Sequence, residues 1–281
     1  MVDLEGKTVI PGIVEISGSP IVFAKTGNGD ISLSEEEMLA KDLAQVTGPY
    51  SERGIVAVAE MGTNLSGFAS DNMDVFACYS QAEKYGFDQW VSVYYPWAAV
   101  NGENNPIADR ARLIRDRKVH VAGINIKKTD MLTEEELDRA INYCKDNYCQ
   151  LSIDSDAEEV VDLMRIKAQT EEDWLMDVGV PPVRIRYTMR SENPFENIKL
   201  MVADLVNQGV DQRLATEQAV RLYTKDAAEL AGLSRVGEIK QGGSACFVIL
   251  SDDIFSVSVD EIGNIRPEAT YIDGRCVYGT A

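Results

Sequence analysis

Histidine is almost absent from this chain: His120 is the single imidazole in 281 residues. A site built from several imidazoles, the usual way of holding zinc, is thereby excluded. Positive charge is also scarce. Lys and Arg number 27 against 46 Asp and Glu, for a net charge of -19. That balance argues against nucleic acid and anionic membrane as partners, because phosphate recognition needs clustered cations. No stretch approaches a run of apolar residues long enough to span a bilayer. The first twelve residues lack a basic segment followed by a long apolar core, so no signal peptide is expected. The cysteines, at positions 78, 144, 149, 246 and 276, are odd in number and form no CxxC pair. They read as free thiols in a reducing cytoplasm. Cys144 and Cys149, five residues apart, read as packing rather than metal ligands. No internal repeat or low-complexity segment stands out.

What is present is a soluble, globular composition, 45% hydrophobic and 26% charged, long enough for one large domain or two small ones. Residues 7–20, KTVIPGIVEISGSP, read as two short strands around the Pro11-Gly12 turn, and 21–25 as a further short strand. A helix starts at Ser34, with Glu37 at capping-box spacing, and is expected to end at Gly48-Pro49. Residues 54–61, GIVAVAEM, form a buried strand; 72–85 form a helix stopped by Gly86; 89–95 form the next strand. A basic helix over 107–117 leads to a strand over 119–127, then to a helix over 133–147 with a Thr133/Glu136 capping box. Strands over 150–154 and 183–189 and helices over 157–168 and 195–206 continue the alternation. Strand and helix thus alternate about six times, which predicts a parallel sheet with helices outside it and a (β/α) barrel-like closure. The tail changes character: two helices over 214–232, a strand over 244–250, and a hairpin over 269–278 through Asp273-Gly274. The strand before Pro11 is expected to join this β segment.

Several stretches resemble the amidohydrolase superfamily. Residues 7–20 are similar to the segment that enters the family's barrel, 51–61 to an early strand, and 133–154 to a helix and strand ending in a metal-binding His. Residues 216–233 (TEQAVRLYTKDAAELAGL), 237–250 (GEIKQGGSACFVIL) and 271–278 (YIDGRCVY) resemble the helix, strand and closing hairpin of the family's C-terminal third. The resemblance implies hydrolysis of non-peptide C–N bonds and a metal held at the strand ends. At those positions the chain departs from the pattern. Ser17 and Ser19 stand for the first His pair, and Asp154 for the fifth-strand His. Asn125, with Lys127 close by, falls near a bridging Lys, and Arg190 or Ser191 replaces a late Asp. Gly243 and Cys246 replace a Lys and an Asp before the C-terminal strand.

The fold expected is α/β: a shortened or distorted TIM-like (β/α) barrel over 13–234, with a small β domain formed by 1–12 and 235–281. A complete barrel takes about 250 residues, more than remain here, and open sheet edges would favour homo-oligomers. Barrel sites sit at strand C-termini, where Glu15, Ser17, Ser19, Glu60, Lys127, Lys128, Asp130, Asp154 and Arg190 are candidates. Of these, Asp154, Glu60 and Lys127 are the candidate catalytic groups, and Ser17, Ser19 and Arg190 the candidate substrate-binding groups. No metal or cofactor is expected. His120, near the start of its strand, reads as a surface or half-buried residue, and the aromatic residues of 90–97 as core. Three functions remain open: an amidohydrolase-like protein with an eroded metal site and little or no activity; a non-catalytic small-molecule-binding protein or oligomer subunit; and a metal-free or Mg²⁺/Ca²⁺-assisted hydrolase using Glu15, Glu60 and Asp154. A cytoplasmic location is expected.

Overall fold

The structure is a computed structural model that describes residues 7–16, 35–61, 75–100, 107, 117–127, 133–154 and 192–280. Of residues 35, 36, 98, 99, 127, 134, 153 and 154 it describes the backbone alone. The chain enters through two three-residue strands, β1 (Val9–Pro11) and β2 (Ile13–Glu15), which belong to different sheets. Pro11 lacks an N–H and so suits the last residue of a strand. Gly12 then gives its N–H to the Cys246 carbonyl at 3.1 Å, and Ile13 gives its own to Gly54 at 3.0 Å. Gly12 lies so close to the Val56 side chain that a Cβ would overlap it. The Pro-Gly pair therefore passes the chain from one sheet to the other.

The larger sheet is parallel, in the order β2, β3 (Ile55–Met61), β4 (Trp90–Pro96), β5 (Val119–Lys127), β6 (Gln150–Asp154). Spatial order equals sequence order. Among the described residues there is no switch point of the kind that divides a doubly wound sheet, and the crossover helices lie on one side, as in a barrel. On that side pack α1 (Glu35–Glu52), α2 (Val75–Ala82) and α4 (Glu134–Asn147), while α3 (Trp97–Val100) is one turn after β4. Leu43, Tyr79 and Leu137 from the helices share a buried cluster with Val58, Val93 and Leu151 from the strands.

The capping box of α4 forms as its spacing predicts. Glu136 N–H donates to Thr133 Oγ1 at 3.2 Å, and Thr133 N–H to Glu136 Oε2 at 3.1 Å. At its other end Tyr148 takes a left-handed φ of 54°, and Cys149 N–H closes on the Cys144 carbonyl at 3.1 Å. This 6→1 bond makes residues 144 and 149 the apolar contact pair of a helix stop, which explains two buried thiols without a ligand. The second helix is shorter than expected: α2 gives way to a 3-10 turn at Glu83–Tyr85, closed by Gly86 at φ 96°. Its expected start at 72–74 lies outside the described residues.

One boundary is corrected. α1 does not stop at Gly48-Pro49 but runs on to Glu52, with Pro49 inside it. The final turn is held by tertiary contacts that local propensity cannot register. Tyr50 and Ser51 are buried, Gln89 Nε2 donates to Ser51 Oγ at 3.0 Å, and Thr270 Oγ1 donates to the Ser51 carbonyl at 2.7 Å.

After residue 191 the chain forms α5 (Pro194–Asn207), capped by Asn193, and α6 (Gln212–Tyr223), capped by Asp211. The short α7 (Lys225–Leu230) follows. The antiparallel sheet then forms from β7 (Phe247–Leu250), β8 (Pro267–Ile272) and β9 (Arg275–Gly279), with the one-turn α8 (Val259–Ile262) between β7 and β8. Sheet order is β1-β7-β8-β9, so the first strand does join the C-terminal ones. Asp273 and Gly274 have φ of 52° and 79°, the positive pair that a two-residue hairpin requires. Ile10, Val248 and Leu250 belong to the same buried cluster as the helix side of the parallel sheet. The strand over 21–25, the helix over 157–168, the strand over 183–189 and all of the 107–117 helix except its end residues lie outside the described residues. No helix among the described residues is long and apolar enough to cross a membrane.

Candidate functional site on the inner face of the parallel sheet

The face of the parallel sheet opposite α1, α2 and α4 is concave. Ser152 on β6 points its hydroxyl at Met61 Sδ on β3, 3.7 Å away, although three strand spacings separate them. A flat sheet would hold those residues roughly 14 Å apart. Tyr94 on β4 likewise reaches the Gln150 side chain on β6 at 2.8 Å, skipping β5.

Three layers of side chains, most of them polar, line this face. Deepest, at the N-terminal ends, Ser92 pairs in register with His120, their Oγ and Nε2 3.5 Å apart. Ser92 spends its single proton on the Ala231 carbonyl, so its oxygen can only accept, which assigns a proton to Nε2. In the middle layer the Tyr94 hydroxyl donates to the Leu230 carbonyl at 2.9 Å. Ala231 caps α7, so two carbonyls from the end of that helix, which have no intrahelical partner, are satisfied by strand hydroxyls. Ala227, Ala228 and Ala231 are small enough to bring α7 against Trp90, Tyr94 and Ala122. The uppermost layer, toward the strand C-termini, holds Met61, Asn125 and Ser152. Asn125 Nδ2 donates to the Met61 carbonyl at 3.0 Å.

A bulge places Asn125 there. Val93 pairs with Val121 but Tyr94 with Gly123, so β5 carries one extra residue at Ala122. Without it, strict alternation would put His120 and Asn125 on opposite faces. A side chain at Gly123 would run into the Gln150 backbone, so β6 can lie alongside only because that residue is glycine.

The expected site residues distribute unevenly. Lys127 and Asp154 end β5 and β6 and are direct partners in register, which brings their backbones together at the mouth of the sheet. Ser17, Ser19 and Arg190, with Lys128, Asp130 and Ser191, lie outside the described residues. Glu60 is on the other side of the sheet. Its side chain is fully buried and accepts a 2.6 Å hydrogen bond from the Tyr79 hydroxyl on α2, in the helix layer. Glu15 is near it: burial, then the charges of Glu15 and Glu60, raise the Tyr50 phenol above its ordinary pKa. Burial and Glu15 do the same to Tyr223. The two glutamates thus share the helix side, and Glu60 lies three strands from Asp154. His120 is corrected as well. It is fully buried, because its strand start is roofed by Ser92 and the end of α7. The aromatic run is core as expected, with Trp90, Tyr94, Tyr95 and Trp97 all buried. Lys118, just after the basic 107–117 stretch, faces Asp273 at 3.7 Å. Residues that sequence reading missed are Tyr94, Gln150, Ser152 and Met61. Their signal was the alternation of β3, β4 and β6, once the inward side is known.

Residues 186–278 match the model of the Amidohydrolase family, and this span covers α5 to α8, β7, β8 and most of β9. The chain is thereby similar to the amidohydrolase family over about a third of its length. Its fold is similar to that of an amidohydrolase from an environmental sample of the Sargasso Sea. Identity there is 14% over 99% of this chain and 81% of that one, with a TM-score of 0.58. It is also similar to an adenosine deaminase from Xanthomonas campestris with bound zinc, at 12% identity, 97% and 81% coverage and a TM-score of 0.60. A zinc complex of atrazine chlorohydrolase from Arthrobacter aurescens with atraton gives 12% identity, 98% and 84% coverage and a TM-score of 0.58. At such identities the likeness is one of fold. No curated protein matches the chain. The parallel sheet is a partial barrel of the amidohydrolase type, consistent with a shortened form of that fold.

The zinc named for two of these structures does not fit the donors present here. The sole imidazole is at the second residue of β5, at the end away from the mouth. Cys78, Cys144 and Cys149 are in the helix-side core. Cys246 is beside Asp273, which also takes the Trp90 indole N–H at the opening of β4. Among the described residues no three His, Cys, Asp or Glu side chains gather in a way that would hold a metal ion.

Proposed function

We propose that this chain is an amidohydrolase-like protein whose imidazole-held metal site has been eroded, leaving little or no metal-dependent hydrolysis of C–N bonds. Its concave face serves as a small-molecule site. The observation that carries the reading is the position of His120, the one imidazole, locked beneath the end of α7 at the wrong end of the strands. A borderline-soft ion needs nitrogen or sulfur donors at the mouth, and neither the sequence nor the topology brings them there. The same reading divides the chain into a β unit (1–12 and 235–281) and a barrel-like unit (13–234), in a cytoplasmic protein that self-associates through its sheet edges. β9 forms one edge of the antiparallel sheet among the described residues. Elemental analysis of the purified full chain tests the central point. Zinc well below one ion per chain is expected, and one tightly held zinc per chain would overturn it. Light scattering tests self-association, and a monomeric mass would refute that part.

A further inference from the structure

We propose that Asn125 and Ser152 act together as a reader of planar ligand edges that carry an N–H next to an acceptor atom, as amides and ureides do. The inference rests on the reading of the concave face as a small-molecule site. Asn125 is only 2% exposed. Its Nδ2 gives a proton to the Met61 carbonyl, and a carbonyl can only accept, which fixes the orientation of the carboxamide. Among the described residues Oδ1 is left buried with no hydrogen-bond partner. A buried acceptor left unmade is costly, and native folds keep few of them. It therefore marks a position where a donor arrives.

Ser152 supplies the other half. It is the register partner of Asn125 on the neighbouring strand, about 4.8 Å away in the sheet, and it faces the same side. Its hydroxyl is given to a thioether at 3.7 Å, among the weakest acceptors in a protein, and so turns to a ligand at little cost. An unmet acceptor on one strand and a loosely committed donor on the next converge on an edge whose N–H and C=O lie side by side. An anionic carboxylate has no proton to give Oδ1 and is disfavoured.

The test uses the full chain and two matched probes, 2-piperidone and N-methyl-2-piperidone, with binding followed by calorimetry and by protein NMR. The wild type is expected to bind 2-piperidone at least about tenfold more tightly, the worth of roughly one hydrogen bond. Asn125→Leu, of similar size and without an acceptor, abolishes that preference, and Ser152→Ala weakens both probes. Equal binding of the two lactams, or a preference that survives in Asn125→Leu, would refute the reader while leaving the small-molecule site standing. Binding of neither probe refutes both, and assigns Oδ1 to a buried water. If Asn125→Leu fails to fold, the wild-type comparison alone decides. The metal analysis is independent of each of these outcomes.

Discussion

Replacing Tyr94 by Phe removes one oxygen atom and tests whether α7 is seated on the inner face of the sheet. Tyr94 is 2% exposed, so its hydroxyl is cut off from bulk water. It stands 2.9 Å from the Leu230 carbonyl and 2.8 Å from the Gln150 side-chain amide. Both neighbouring atoms, the Leu230 carbonyl and Gln150 Oε1, are acceptors for the one phenol proton. Phe at this position keeps the ring packing and strands both partners. Each buried polar group left unpaired costs about 1–3 kcal/mol, and the two share one site, so about 2–4 kcal/mol is expected in total. In a chain of this size that lowers Tm by roughly 4–15 °C. Calorimetry with a denaturant titration reads it, the midpoint falling while the slope stays unchanged. Hydrogen exchange at the end of α7, where Ala231 N–H bonds the Ala227 carbonyl at 2.9 Å, accelerates in the variant. Tyr85→Phe is the control. That residue is exposed and bonds Glu37 at the surface at 2.5 Å, so its loss shifts stability by less than about 0.5 kcal/mol. A Tyr94→Phe protein that melts within a degree of the wild type would mean that α7 does not rest on the sheet as described.

Three further outcomes follow from the same contacts. Tyr79→Phe strips a buried carboxyl of a 2.6 Å hydrogen bond and is expected to cost about 1.5–3 kcal/mol in chemical denaturation, whereas Glu60→Gln leaves lactam binding unchanged; loss of binding in Glu60→Gln would return Glu60 to the site. Gly123→Ala drives a methyl group into the Gln150 backbone and separates β5 from β6, so soluble yield and far-UV dichroism both fall; a well-folded variant would contradict the bulge geometry. Hydrogen bonds from Lys225 and then Lys240 hold the half-buried Glu238 carboxyl at about 2, below its ordinary 4.5. A lowered carboxyl pKa stabilises the fold above about 4.5, and that contribution disappears as pH falls through about 2. Screening limits it to less than about 1 kcal/mol. Glu238→Gln should therefore melt slightly below the wild type at pH 7 and level with it near pH 2; a gap that persists in acid would refute the assignment.

Much of the fold was legible because its signals are local. Thr133 and Glu136 lie three residues apart, and a capping box needs nothing else. Asp273-Gly274 takes two positive φ values because few other pairs tolerate them. Where reading failed, a distant partner had intervened. Gly48-Pro49 looks like a helix end, yet α1 continues because Gln89 and Thr270, both remote in sequence, hold its last turn. Glu60 looks like a strand-end catalytic acid, yet Tyr79 takes it into the helix layer.

Within the described residues the sequence by itself determined most strands and helices, the parallel sheet with helices outside it and the shortage of imidazoles, because periodicity, turn chemistry and composition act over a few residues or over the whole count. Only the tertiary structure decided which alternate side chains look inward. Period-two alternation says that neighbours face opposite ways and is silent on which way is in, and one extra residue at Ala122 reverses the answer for everything after it. That reversal turns Asn125 inward, and the Tyr79 contact holds Glu60 on the outer side.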